Sequence, residues 1–153
     1  IRYFFTMRDI DTHLDFDIDL AVSASHENPV YYVQYAHARI CSIFRQAKEM
    51  GIEPPPHEGA DLSPLSTEAE YDLLRKMGEF PQAVAAAAAA FEPHHLIRYV
   101  YELAALFHSY YKAERVLTDD AAQTRARLLL AAAVRTVIAN CLRLVGVSAP
   151  ERM

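Results

Sequence analysis

Glycine and cysteine are both scarce in this chain of 153 residues, with four of the first and two of the second. No glycine turn stands between alternating apolar residues, so the sequence announces no β-hairpin. No glycine-rich loop of the phosphate-cradling kind occurs either. Cys41 and Cys141 lie far apart, match no metal or redox spacing, and are expected as two buried, reduced thiols. No apolar run reaches the ~18 residues that mark a membrane-spanning helix. A leader is missing as well: the chain opens on Ile1-Arg2-Tyr3-Phe4-Phe5, without a starting methionine or a charged-then-apolar signal. It is therefore expected to be a piece of a longer chain, and the two reduced thiols point to a cytoplasmic origin. No serine or cysteine has an activating pattern around it, and nothing in the chain looks catalytic.

What the chain has instead is helix. Its 52% apolar and 23% charged residues are those of a globular domain long enough to bury a core. Asn28-Pro29 reads as a helix start, a capping side chain before a proline at the first helical position. Val30, Val33, Ala36, Ile40, Phe44 and Ala47 then recur at three and four residues, and Gly51 ends the run. Residues 52–66, rich in proline, are expected as a surface loop. Thr67 or Ser66 caps a helix to about Met77, and "PQAVAAAAAAF" makes another on propensity alone. Pro93 opens a long helix with Leu96, Val100, Leu103, Phe107 and Tyr111 on one face. A last helix runs from Asp120 to Gly146, its predicted core stripe including Leu130, Ala133, Val137, Cys141 and Leu144. A helix end at Ile1–Arg8 and a helix near Asp17–Ser25 complete the reading. The expected fold is all-α, an antiparallel bundle of four or five helices.

The net charge of −5 is unevenly spread. Residues 29–50 carry +2 and 93–153 carry +3, against −4 in 1–28 and −6 in 51–92. In a bundle this segregation is compatible with one basic face and equally with chance. The five aspartates from Asp9 to Asp19 lack the central glycine and terminal glutamate of a calcium loop, and are expected to be solvated. His94-His95 shows no carboxylate or cysteine at ligand spacing. The stretch "NPVYYVQYAHARI", residues 28–40, is richer. Successive steps of 100° place Val33, Ala36, His37, Ile40 and Phe44 toward the core. Tyr32, Tyr35, Arg39 and Gln46 fall on an adjacent stripe, with Gln34 and Arg45 on the opposite flank. Tyrosines beside a guanidinium suit the stacking of single-stranded bases. They equally suit a boundary face packed on a neighbouring domain, and periodicity leaves both readings open.

The same helix, with "IRYFF", "LDFDIDLA", "YELAALFHSYY" and the ending "LVGVSAPERM", resembles the arginyl-tRNA synthetases, class I aminoacyl-tRNA synthetases, along the whole chain. The resemblance implies their carboxy-terminal helical anticodon-binding (DALR) domain over 28–153, with 1–27 joining it to a catalytic domain. It implies a parent that ligates arginine to its tRNA with ATP and magnesium, and no cofactor or catalytic residue in this piece. The implied partners are the anticodon arm of arginine tRNA and the parent's own catalytic domain, with no membrane and no DNA. Carried over by motif, the anticodon contacts are Tyr35, Tyr111 and Met153, joined by Gln34, Arg39 and Tyr32. Arg45, Arg98, Arg125, Arg135 and Arg152 are candidates for phosphate contact. The tail after Gly146 leaves as an extended segment and, by resemblance, folds back so that Met153 borders the anticodon pocket. The alanine run 85–90 departs from the pattern and blurs the helix boundaries there. A helical protein-interaction module and a general single-stranded RNA binder are the alternatives.

Overall fold

The caps written into the sequence set where the helices begin. In the computed structural model, which describes residues 1–9, 11–13, 15–53, 56 and 58–153, Asn28 is buried at the head of its helix. Its side-chain oxygen accepts from the amides of Val30 and Tyr31, and its amide nitrogen donates to the carbonyls of Ala21 and Ser23. One side chain thus starts a helix and ties down the segment before it. The helices are α1 (Arg2–Thr6), α2 (Ile18–Val22), α3 (Pro29–Glu49), α4 (Glu68–Gly78), α5 (Phe80–Ala90), α6 (His94–Ala113) and α7 (Ala121–Leu144). Among the described residues there is no strand, and no helix is long and apolar enough to cross a membrane.

α6 is the central element, packed against α1, α3, α4, α5 and α7, and α7 in turn touches α3 and α4. The core these helices share includes Val33 and Ile40 of α3, Leu73 of α4, Leu103 and Phe107 of α6, and Leu128 and Ile138 of α7. Tyr3 of α1 is buried in the same cluster, so the amino-terminal helix belongs to the bundle's core. Cys41 and Cys141 are buried and free as expected, and burial pushes the Cys141 thiol up to about 12. The aspartates Asp9, Asp11, Asp15, Asp17 and Asp19 are exposed. Asp17 caps α2 through the Leu20 amide.

The α7 face is rotated from the predicted one, and the predicted α6 face is buried at Leu96, Val100, Leu103 and Phe107 but not at Tyr111. On α7 the buried residues include Leu130, Val134, Ile138, Cys141 and Leu142, whereas Ala133 and Leu144 are exposed and Val137 is half-buried. Alanine and leucine are so frequent in this helix that the apolar pattern fixes its phase poorly. On α6 it is Tyr110, 0% exposed, that enters the core, and Tyr111, at 37%, lies at the surface. The paired tyrosines are alike in type, so only the packing of α6 on its neighbours separates them. α5 ends on Phe91 in the left-handed region, φ 58°, a position usually given to glycine, with its ring 90% exposed.

A buried ion pair joins three elements. Thr67 and Glu70 form a reciprocal capping box at the start of α4. Glu70 is 0% exposed and accepts from the amides of Ser66 and Thr67 and from Arg127 Nε at 2.7 Å. Arg127 of α7, 3% exposed, also donates to Glu114 at 2.8 Å and to the Arg115 carbonyl at 2.6 Å. Each of the three guanidinium nitrogens therefore donates once. Burial alone pushes the Glu70 carboxyl up, but the Thr67 and Ser66 amides and the Arg127 guanidinium together hold it below the usual glutamate value.

Removing one partner strands the other charge in the core. Arg127→Met is expected to cost about 3–5 kcal/mol of unfolding free energy, measured by denaturant titration. Because the folded pKa of Glu70 lies below its unfolded value, its stabilisation is complete above the unfolded pKa of about 4.3 and is lost as pH falls from there. Melting temperatures recorded from about pH 6 down to 3 are expected to drop less for Glu70→Gln than for the parent chain. The Tyr110 hydroxyl is buried with no hydrogen-bond partner among the described residues. Tyr110→Phe is accordingly expected to leave the melting temperature unchanged or raise it.

Candidate nucleic-acid interface

The outward face of α3 carries its aromatic groups one turn apart, and α6 adds a second row beside it. Tyr31 and Tyr35 stack, with ring centroids 5.9 Å apart and planes 10° from parallel. His26, from the segment before α3, meets Tyr35 edge-on at 5.3 Å. From α6, Tyr101 lies 5.0 Å from Tyr32, and His108 lies 4.6 Å from Tyr32 and 6.0 Å from Tyr35. Tyr32 is thus a half-buried member of this aromatic wall, packed from two sides.

Arg39, one turn beyond Tyr35, is held between the rows. Its guanidinium carbon lies 4.5 Å from the centre of the Tyr35 ring and 4.8 Å from that of Tyr111. It donates to the Tyr35 hydroxyl at 3.0 Å and approaches His108 Nδ1 at 3.5 Å. The other ring nitrogen of His108, Nε2, lies 3.2 Å from the Tyr32 carbonyl. A carbonyl can only accept, so Nε2 carries the hydrogen and Nδ1 is left as an acceptor facing Arg39. His108 is lowered from its ordinary pKa, first by burial and then by Arg39 and His26, against the pull of the Tyr32 carbonyl. Neutral His108 completes the seat of the arginine.

The tail is gripped along its length. Gly146 turns the chain at φ 68°, and the next residues run back over α3. Gln34 donates to the Ser148 carbonyl at 2.8 Å and His37 Nδ1 to that of Pro150 at 2.8 Å. Arg45 donates to the Glu151 carbonyl at 3.1 Å. The grip leaves Met153 beside Tyr35 and Tyr111. A cleft of about 460 Å³ results, lined by Tyr35, Ala38, Arg39, Ser42, Arg45, Tyr111, Arg152 and Met153.

Six of the residues singled out in the sequence, Tyr35, Tyr111, Met153, Arg39, Arg45 and Arg152, therefore line one cleft. Gln34 stands outside it, its amide engaged by the tail. Arg98 sits 3.0 Å from His95, Arg125 lines a separate hollow with Pro56 and Asp61, and Arg135 covers the Phe44 ring at 4.7 Å. Sequence reasoning missed His26, His108 and Tyr101. Tyr101, His108 and Tyr111 recur at seven and three residues, a helical stripe that carries the signal.

Glu92 does reach His94 and His95, their ligand atoms all within 4.8 Å, which corrects the reading that no carboxylate accompanies the histidines. The chemistry of the group is that of a hydrogen-bonded chain. Arg98 donates to His95 Nδ1, which places the ring hydrogen on Nε2, 2.6 Å from the Glu92 carboxylate. A cation there would face both Arg98 and the positive end of α6.

The family model of the DALR anticodon binding domain matches residues 33–153. Over 153 residues the chain is 57% identical to the arginine–tRNA ligase 1 of Halalkalibacterium halodurans, covering 99% of this chain and 27% of that protein. It is also 57% identical over 152 residues to the arginine–tRNA ligase of Symbiobacterium thermophilum, with the same coverage. Among solved structures, Thermus thermophilus arginyl-tRNA synthetase superposes with a TM-score of 0.83 at 32% identity, over 99% of this chain and 26% of that one. The chain thus spans about a quarter of the length of the relatives it matches. Aromatic cleft, gripped tail and family match agree, and the chain belongs to the DALR anticodon binding domain family.

Proposed function

We propose that this chain is the part of a cytoplasmic arginine–tRNA ligase that holds the anticodon arm of arginine tRNA. The supporting observation is the cleft itself, where two tyrosine rings, a guanidinium and a thioether meet at the surface. An unpaired base has a π-face that stacks on an exposed ring regardless of its identity. A planar guanidinium stacks on a base and also donates to its edge, which a lysine ammonium does not do. Met153 supplies a polarizable edge contact, and Arg45 and Arg152 stand at the rim for phosphates. Arg98, Arg125 and Arg135 lie away from the cleft and have a place only against the flanking stem. The ligation step, with ATP and magnesium, is assigned to the remainder of the parent, and 1–27 to the joining segment.

Filter binding of arginine tRNA against other tRNAs tests this reading. A preference for arginine tRNA supports it; equal binding favours a general single-stranded RNA binder, and no binding a protein-interaction module. Tyr35→Ala is expected to weaken the arm's binding by about 1–3 kcal/mol, one lost stack, with helix content by circular dichroism unchanged. Salt gives an independent measure. Three guanidiniums in the cleft, Arg39, Arg45 and Arg152, predict a log–log slope of affinity against salt of roughly −2 for single-stranded RNA. Arg45→Ala is expected to reduce that slope by about 0.7, read from titrations between about 50 and 200 mM.

A further inference from the structure

One wall of the cleft is the tail. Its origin is closed by the end of α7, where the Gly146 and Val147 amides donate to the Arg143 and Leu142 carbonyls at 3.0 and 2.8 Å, and a residue of α1 holds it from the side. Arg2 of α1 donates from its guanidinium to the Gly146 carbonyl at 2.8 Å. Gly146 has φ 68°, where a side chain is strained, and the Arg2 guanidinium fills the space in which a Cβ would stand. The residue is glycine for both reasons. The cation lies at the carbonyl end of α7, the negative pole of a 24-residue helix. α1 itself is fixed from beneath, since Tyr3 and Phe4 are buried and α1 packs on α6.

In the seven residues from Val147 to Met153, α3 catches the chain at the carbonyls of Ser148, Pro150 and Glu151. Val147 and Ala149 pack beneath it against the core. A segment so short and so often held has no slack to absorb a shift at its origin. At that origin, Arg2 is the side-chain hold beside the main-chain bonds that end α7.

We propose that Arg2 is a positioning residue for the cleft: its bond to the Gly146 carbonyl lets α1 set the point from which the tail departs, and so where Arg152 and Met153 stand against Tyr35 and Tyr111. The consequence for RNA rests on the proposed function; the placement of the tail does not. A displacement of α1 is carried to the cleft through the main chain of the tail, without any contact between Arg2 and the RNA.

Four methionines, Met7, Met50, Met77 and Met153, provide reporters when their methyl carbons are isotopically labelled for NMR. In Arg2→Leu the Met153 methyl signal is expected to shift and sharpen while those of Met50 and Met77 stay in place. Arg2→Lys, which keeps a charged donor, is expected to fall between. Affinity for arginine tRNA is expected to fall about two- to thirtyfold in Arg2→Leu, with no further effect of that substitution once Arg152 and Met153 are deleted. An unmoved Met153 signal overturns the proposal. So does joint movement of Met50 and Met77, which makes Arg2 a general fold residue, and so does a loss that adds to that of the deletion, which makes Arg2 a direct phosphate contact. If Met153 moves yet neither Arg2→Leu nor the deletion changes RNA affinity, the positioning role stands and the RNA reading of the cleft fails.

Discussion

The Glu70–Arg127 pair is the constraint on which the bundle's assembly depends. Neither charge reaches water, because the desolvation of each is offset by the other, by the Glu114 carboxylate on the arginine's far side, and by the main-chain groups around them. The start of α4, the second turn of α7 and the connection between α6 and α7 must therefore arrive at one point together. Apolar contacts between smooth, alanine-rich helices tolerate sliding and rotation. A buried guanidinium with three acceptors around it does not, and it gives α7 the phase that its apolar residues leave open.

The cleft applies the same physics at the surface with the opposite outcome. Tyr35, Tyr111 and Arg39 remain partly in water, so their mutual contacts add little to folding. What the contacts do is hold the rings and the guanidinium in place before a ligand arrives. The hydroxyl of Tyr35 and the neutral ring of His108 occupy donors of Arg39 that would otherwise search solvent. Binding to such a face loses less side-chain entropy than binding to free surface arginines.

How much of this was legible depends on whether a residue's type, or only its surroundings, decides its role. Asn28, Thr67 and Asp120 are capping residues by type, and the helices begin where they stand. The α3 stripe was legible because Val33, Ala36, His37 and Ile40 alternate with polar neighbours, and all four are buried. Tyr110 and Tyr111 were not separable, since one helical step divides them and only packing chooses. Glu70 was half visible: Thr67-x-x-Glu70 has the capping-box spacing, but the distant Arg127 that completes it leaves no local trace. The cleft residues Tyr35, Tyr111 and Met153 were reached through family resemblance; spacing alone left the tyrosine face open between two uses. The grip on the tail was illegible for a simpler reason. Its acceptors are carbonyls, which every residue has.

That last point bears on how this end of the protein tolerates change. Gln34, His37 and Arg45 hold the main chain of the tail; of the tail's own side chains, Val147 and Ala149 pack beneath it and the Ser148 hydroxyl adds a long 3.4 Å contact with Gln34. The grip counts peptide units. Substituting Ser148 or Glu151 leaves every carbonyl where it was, whereas inserting or deleting one residue moves the terminus by about 3.3–3.6 Å, the rise of one extended residue, and carries the last side chain out of the cleft. Between Gly146 and the cleft residues Arg152 and Met153, the hold thus constrains the number of peptide units more than the side chains they carry.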